Sequence, residues 1–164
     1  MALVTAPQST LPDFQHEYHT IVVDTVDQAS KNTFSVYLQQ PLENVVQARL
    51  TAAQIHTVSS NVCHIAIDEL DTNFSQRATA DLDGQSGLTS LSRSFGTILC
   101  DGTGQFQFAD NYPVVQQYLT PIRKLGRLTF TLRNQTGATI PDTADHHYFI
   151  LRFVCKNANL APMH

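Results

Sequence analysis

The chain has 164 residues, of which 42% are hydrophobic and 15% are charged, and its formal net charge is −4 at pH 7. This length suits one domain that buries a hydrophobic core without disulfide support. The ten Lys and Arg residues are scattered, so the charge pattern argues against a nucleic-acid-binding surface as the main function of the chain.

The N-terminal residues 1–15 contain two prolines and several small polar residues without hydrophobic periodicity. They are predicted to form an extended arm, either loose or laid across a neighbour. They lack a positively charged side chain and a long apolar run, so we expect neither a signal peptide nor a membrane anchor. The folded domain is predicted at residues 16–156, with a short tail at 157–164.

Eight segments of the domain are rich in β-branched residues or alternate between apolar and polar positions, which is typical of strands. Pro41 and Pro121 are expected to end the strands that precede them. In chain order the predicted strands are residues 18–26, 33–38, 45–55, 62–68, 95–100, 114–119, 128–132 and 149–153.

The segment 45–55 allows two interpretations. It contains good helix formers such as Gln47 and Ala48, which favour a helix on intrinsic propensity. Against a helix, Val46, Ala48, Leu50 and Ala52 alternate with polar residues, and no capping residue precedes them. We therefore predict a strand.

Two apolar ladders occupy the last third of the chain. In the first ladder, Leu128, Phe130 and Leu132 alternate with polar residues, so this strand is expected to bury one face and to expose Thr129 and Thr131 to solvent.

The second ladder has a core face formed by Phe149, Leu151 and Phe153, but its other face is also apolar apart from Arg152. That other face carries Tyr148, Ile150 and Val154. A strand that is apolar on both faces is usually covered on both faces, so a neighbouring subunit is expected over this one.

Two polar connections are predicted to be loops. Residues 71–93 are rich in Ser, Thr and Gly, and a loop of this length tends to carry a contact or a function. Residues 102–113 contain Phe106, Phe108 and Tyr112, which could form a stacking platform for a sugar or for single-stranded nucleic acid. A loop held in place by its own aromatic side chains is the favoured interpretation.

The predicted fold class is all-β. Eight antiparallel strands with uneven connections favour a jelly-roll sandwich, a single jelly roll, over an up-and-down barrel. The absence of tryptophan disfavours an immunoglobulin domain.

The sequence carries no recognisable enzyme or metal motif. His16 and His19, like His146 and His147, have odd spacings that point to opposite faces of a strand, so we expect structural or surface roles for them. Asp68 and Glu69 lie where a strand meets a loop, which is typical of solvated acids. No catalytic residue, metal ligand or cofactor-binding residue is therefore predicted, and the chain is not expected to be an enzyme.

The three cysteines, Cys63, Cys100 and Cys155, lie in or beside apolar strand patterns and have no metal-ligand spacing. They are predicted to be buried, reduced thiols. This prediction suits a protein that assembles in a reducing compartment.

Several segments taken together have a recognisable pattern of apolar and turn residues. They are residues 23–25, 34–36, 41–46 (PLENVV), 62–70, 121–129 (PIRKLGRLT) and 145–151 (DHHYFIL). With these segments the chain resembles the single jelly-roll capsid proteins of eukaryotic double-stranded DNA viruses, a family found in giant viruses, polinton-like viruses and virophages. The resemblance covers residues 18–153, nearly the whole domain, although residues 71–93 match no pattern of the family.

The resemblance implies a minor capsid protein, and a single jelly roll of this size favours the pentameric vertex protein, the penton, over the larger major capsid protein. Its expected partners are copies of itself, the major capsid protein and other capsid proteins in the virion, without nucleic-acid binding or direct membrane insertion. The predicted contacts between subunits are Arg123, Lys124, Tyr148, Ile150 and Arg152. The alternative function is a jelly-roll binding module that recognises a glycan or a protein through its loops.

Overall fold

The computed structural model describes residues 15–58, 60–71, 94–100, 104–140 and 145–157. The predicted arm, tail and long polar loop fall almost entirely outside these residues. The strands are β1 His16–Asp24, β2 Thr33–Val58, β3 Val62–Ile67, β4 Gly96–Leu99, β5 Gly104–Arg133 and β6 Tyr148–Lys156, and a 3₁₀ turn occupies Asp68–Leu70. The described residues include no helix with the length and apolarity needed to cross a membrane.

The strands pair as one long antiparallel ribbon that is rolled up. β1 pairs with β6, β2 pairs with β5 along almost its whole length, and β3 pairs with β4, so that each pair is nested inside the previous one. Rolling brings β6 onto the second part of β2 and brings β3 onto the last part of β5. The chain is therefore all-β and antiparallel, with the strand order of a jelly roll.

The described residues form six strands where the sequence predicted eight, because the two longest strands, β2 and β5, bend without ending. β2 continues through Pro41 with a register shift between Tyr37 and Leu42, and β5 continues through Pro121. The prediction that these prolines end their strands is wrong. A proline removes one ladder hydrogen bond, which a sheet accommodates at a bulge or bend where pairing is already interrupted.

The strands β2 and β5 each have two parts, which lie in different halves of the roll. The "β6 half" consists of β1, β6, residues 47–58 of β2 and residues 104–117 of β5. The "β3 half" consists of residues 33–45 of β2, residues 122–133 of β5, β3 and β4. Counting these parts separately recovers eight strand segments.

Aromatic side chains from both halves meet in the core. Phe34 and Phe130 of the β3 half stack with ring centroids 4.9 Å apart, and Phe149 of the β6 half lies 5.2 Å from Phe130. The predicted core residues of both ladders are confirmed, because all six are fully buried. The ladder residues are Leu128, Phe130, Leu132, Phe149, Leu151 and Phe153.

The ambiguous segment 45–55 is a strand, as predicted, but its core face differs from the prediction. The buried residues are Val45, Ala48, Leu50, Ala53 and Ile55, whose spacing alternates between three and two residues. Register shifts after Val45 and after Leu50 each insert a residue and reverse the side to which the following residues point. The resulting spacing departs from a regular period of two, so the alternation of Val46, Ala48, Leu50 and Ala52 in the sequence does not give the core face.

The predicted loop at 102–113 is also corrected, because β5 begins at Gly104. Phe108 pairs with Ala53 and is buried in the core, so it is not available as a stacking platform. The side chains of Phe106 and Tyr112 lie outside the described residues.

The two lateral sides of the roll differ. On one side, β4 lies close to β5: Gly96 packs so tightly against Val114 that a Cβ atom there would overlap its side chain, and Gln116 Nε2 donates to the carbonyl of Phe95 at 2.8 Å. On the other side, a groove of about 960 Å³ separates β1 from residues 37–44 of β2. Among the residues that the structure describes, the second side is therefore open.

Candidate interaction surface

The outward face of β1 and β6 is largely apolar. Val22 is 66% exposed, Tyr18 is 53% exposed and Tyr148 is 40% exposed, while Ile150 and Val154 are half-buried. Strand pairing places Tyr18 opposite Val154 and Val22 opposite Ile150, so that these side chains form two adjacent rows. We call this surface, formed by these five residues together with Arg152, the β6 outer face.

Arg152 lies in the centre of the β6 outer face and is held in a defined position. Its guanidinium carbon lies 5.1 Å from the centroid of the Tyr18 ring, a cation–π arrangement. Its register partner on β2 is Arg49, on the same side of the sheet. Sequence analysis did not identify Arg49, because only the pairing of β2 with β6 brings the two arginines together.

The predicted contact residues fall in two separate places. Tyr148, Ile150 and Arg152 share the β6 outer face. Arg123 and Lys124 are both exposed and lie in β5 near its bend, where Lys124 is the register partner of Glu43.

The groove on the open side of the roll has a mixed lining. Its lining includes the core residues Leu42 and Cys155, while Glu17, Lys124 and Lys156 supply charges of both signs. Its polar and charged character differs from the apolar β6 outer face.

His147 is a buried structural histidine. Its side chain is fully buried, its Nδ1 accepts a hydrogen bond from the backbone N–H of His56 at 3.1 Å, and its Nε2 lies 2.8 Å from Asn32 Oδ1. Because Nδ1 accepts, Nε2 carries the proton and donates to Asn32. Its backbone N–H donates to Thr25 Oγ1 at 2.9 Å, so this one residue joins β6 to β2 and to the turn between β1 and β2.

Glu69 fixes the point at which the chain leaves β3. Its carboxylate accepts hydrogen bonds from the backbone N–H of Thr129 at 2.6 Å, from Thr129 Oγ1 at 2.9 Å and from Arg127 Nε at 3.0 Å. Burial raises the pKa of Glu69, but these hydrogen bonds outweigh burial and hold it below the ordinary value. The carboxylate thus replaces the carbonyl that β3 would have offered to β5.

Two expectations from the sequence are corrected by this contact. Glu69 is a partly buried hydrogen-bond acceptor and not a solvated acid, whereas its neighbour Asp68 is exposed. Thr129 does not simply face solvent, because its hydroxyl also accepts a hydrogen bond from Ser35 Oγ at 3.1 Å.

All three cysteines are free thiols, with Cys63 and Cys155 buried and Cys100 half-buried. Burial raises the pKa of the Cys63 and Cys155 thiols, which disfavours the reactive thiolate. Among the described residues no three His, Cys, Asp or Glu side chains are grouped in a way that could hold a metal ion.

No protein-family model matches the sequence, and no curated protein is significantly similar to it. The strand order and the β6 outer face therefore carry the functional argument.

Proposed function

We propose that this chain is a structural capsid protein that forms the pentameric vertex, or penton, of an icosahedral double-stranded DNA virus. The observation that carries the proposal is the β6 outer face, which presents a contiguous set of apolar side chains on a jelly-roll domain. The sequence resemblance to single jelly-roll capsid proteins supports the same function.

The energetics favour covering this face with another protein chain. Burying apolar surface contributes roughly 25 cal/mol per Å², so an interface that covers about 400 Å² of apolar surface yields about 10 kcal/mol before the cost of association. That cost is about 4–15 kcal/mol, so the apolar face and additional polar contacts together suit a stable assembly.

A ring is the geometry we propose. In a ring each copy uses one surface to contact a different surface of the next copy, and the rotation closes after five copies. A rigid domain suits this role, and the contact between Phe130 and Phe149 joins the two halves of the roll. The major capsid protein and other capsid proteins would surround the ring in the virion.

A second candidate function is favoured by the groove on the open side. Its volume of about 960 Å³ and its charged lining are compatible with a binding module that takes up a glycan or a peptide. The two functions differ in oligomeric state, because a binding module of this kind does not need the β6 outer face to be covered.

Native mass spectrometry of the purified chain tests the proposal. Five copies of the 18.2 kDa chain give a particle of about 91 kDa. Ile150→Asp introduces a charge into the apolar face and should release monomers, whereas Thr33→Asp, on an exposed position of the β3 half, should leave the pentamer intact. A wild-type chain that stays monomeric at every concentration would contradict the capsid function.

A further inference from the structure

The bend of β5 forms an outward bulge. Between the register pairs Val45–Ile122 and Gln47–Gln117, β2 contributes one residue and β5 contributes four. These extra residues have no register partners on β2, so they leave the ladder and bend the strand. We call residues 118–121 the β5 bulge.

Leu119 projects from the β5 bulge. It is 99% exposed, which makes it the most exposed large apolar side chain among the residues that the structure describes. Its neighbour Tyr118 packs against the core and donates its hydroxyl hydrogen to the carbonyl of Leu70 at 2.9 Å. Ile122, which follows the bulge, also packs against the core. The bulge is thus anchored on both sides of Leu119, and a side chain presented in a fixed position loses little conformational entropy on binding.

The groove on the open side is suited to an apolar anchor. The buried residues of its lining, Leu42 and Cys155, belong to the core, whereas its exposed residues include Glu17, Lys124 and Lys156. An apolar interior with a charged margin is the arrangement in which a protein interface buries an anchor side chain of its partner.

The groove is continuous with the β6 outer face, because Val22 belongs to both surfaces. A neighbour that covers the β6 outer face therefore also reaches the groove. Among the described residues, the groove lining includes no residue of the β5 bulge, so the two are separate surfaces of one chain. A contact between two different surfaces of identical chains is heterologous, and such contacts generate a ring when the rotation closes.

We propose that the β5 bulge of one copy inserts Leu119 into the groove on the open side of the next copy. The inference rests on the proposed assembly of copies and names the contact that joins neighbours. Full burial of a leucine side chain changes an affinity by about 10- to 100-fold, so Leu119 is expected to dominate this contact.

Complementary variants provide the first test, by native mass spectrometry. Leu119→Asp places a charge on the bulge and leaves the groove intact. Gln40→Trp places a bulky ring at an exposed position of the groove lining and leaves the bulge intact. Each variant alone should be monomeric. An equimolar mixture should form a dimer of about 36 kDa, twice the chain mass of 18.2 kDa, because one intact bulge meets one intact groove. The mixture is examined up to 100 times the concentration at which the wild-type chain assembles.

Alanine variants within the bulge give a matched control. Leu119→Ala should weaken self-association by about 10-fold in analytical ultracentrifugation. Thr120→Ala, at the adjacent exposed position, should weaken it less than threefold. Leu119, Thr120 and Gln40 are exposed, so all four variants are expected to keep the wild-type melting temperature, which shows that a monomeric variant is folded.

Photocrosslinking is the second test. In a Cys100→Ser background the two remaining native cysteines are buried, so Leu119→Cys can be labelled selectively with benzophenone maleimide. Illumination of a mixture of isotopically labelled and unlabelled chains should join residue 119 to β1 or to residues 37–44 of a second copy. Peptide mass spectrometry identifies the joined segments and shows whether they come from different copies.

The outcomes separate this inference from the proposed function. An oligomer that resists Leu119→Asp but dissociates with Ile150→Asp would overturn the bulge contact and leave the assembly standing. A mixture of the complementary variants that stays monomeric, or crosslinks confined to another surface, would also overturn the bulge contact. A wild-type chain without any oligomer would overturn both.

Discussion

The hydrogen bonds of His147 predict a large loss of stability when its ring is replaced by an apolar side chain. His147→Leu keeps a similar volume but removes both ring nitrogens. It removes the acceptor of the His56 backbone N–H and the donor to Asn32 Oδ1. Both contacts are made by a side chain that is fully buried in the native structure.

The magnitude follows from those two groups. A buried polar group that loses its partner costs about 1–3 kcal/mol, so the substitution should lower the free energy of unfolding by about 2–6 kcal/mol. A domain of this size has a total stability of about 5–15 kcal/mol, so the change would be easy to measure. His147→Asn, which can still accept from His56 through its side-chain oxygen, should lose about half as much.

Urea denaturation followed by circular dichroism gives the free energies of unfolding. His146→Leu is the matched control, because His146 is adjacent and half-buried but its Nδ1 has no hydrogen-bond partner among the described residues. The control should change stability by less than about 1 kcal/mol. An equal loss in both variants, or a loss below about 1 kcal/mol for His147→Leu, would refute the hydrogen-bond argument.

Three further predictions concern stability and reactivity. The folded-state pKa of Glu69 lies below its ordinary value of 4.5, so the stability that its carboxylate contributes is complete above about pH 4.5 and is lost as the pH falls through the folded-state pKa. Glu69→Gln should therefore lower the free energy of unfolding at pH 7 by more than it does in acid, and a loss that does not depend on pH would contradict this. Phe130→Ala and Leu151→Ala should each cost about 2–5 kcal/mol in urea denaturation, because both side chains are fully buried, and a cost below about 1 kcal/mol would place them outside the core. Cys63 and Cys155 should react with a thiol reagent only after denaturant is added, and rapid labelling of the native chain would show that they are accessible.

The strand content and the inward faces of the two C-terminal ladders were predictable from the sequence. Phe130 lies in a segment that alternates strictly between apolar and polar residues, and large apolar residues, among them Leu151, occupy every second position of the second ladder. A strand turns successive side chains to opposite faces whatever its neighbours are. Local pattern is sufficient there, because the regular ladder contains no bulge. The second apolar face of β6 was visible for the same reason, through Ile150 and Val154.

Tertiary structure decided the features that depend on register between distant strands. Bulges after Val45 and Leu50 change which residues point inward, and they arise from the pairing of β2 with β6, about 100 positions away in the chain. The pairing of Arg49 with Arg152 depends on the same register. Glu69 looked like a solvated acid until the end of β3 placed it beside Thr129. These contacts join residues that are far apart in the sequence, and the local pattern around one residue gives no information about its partner. They can therefore be identified only in the folded structure.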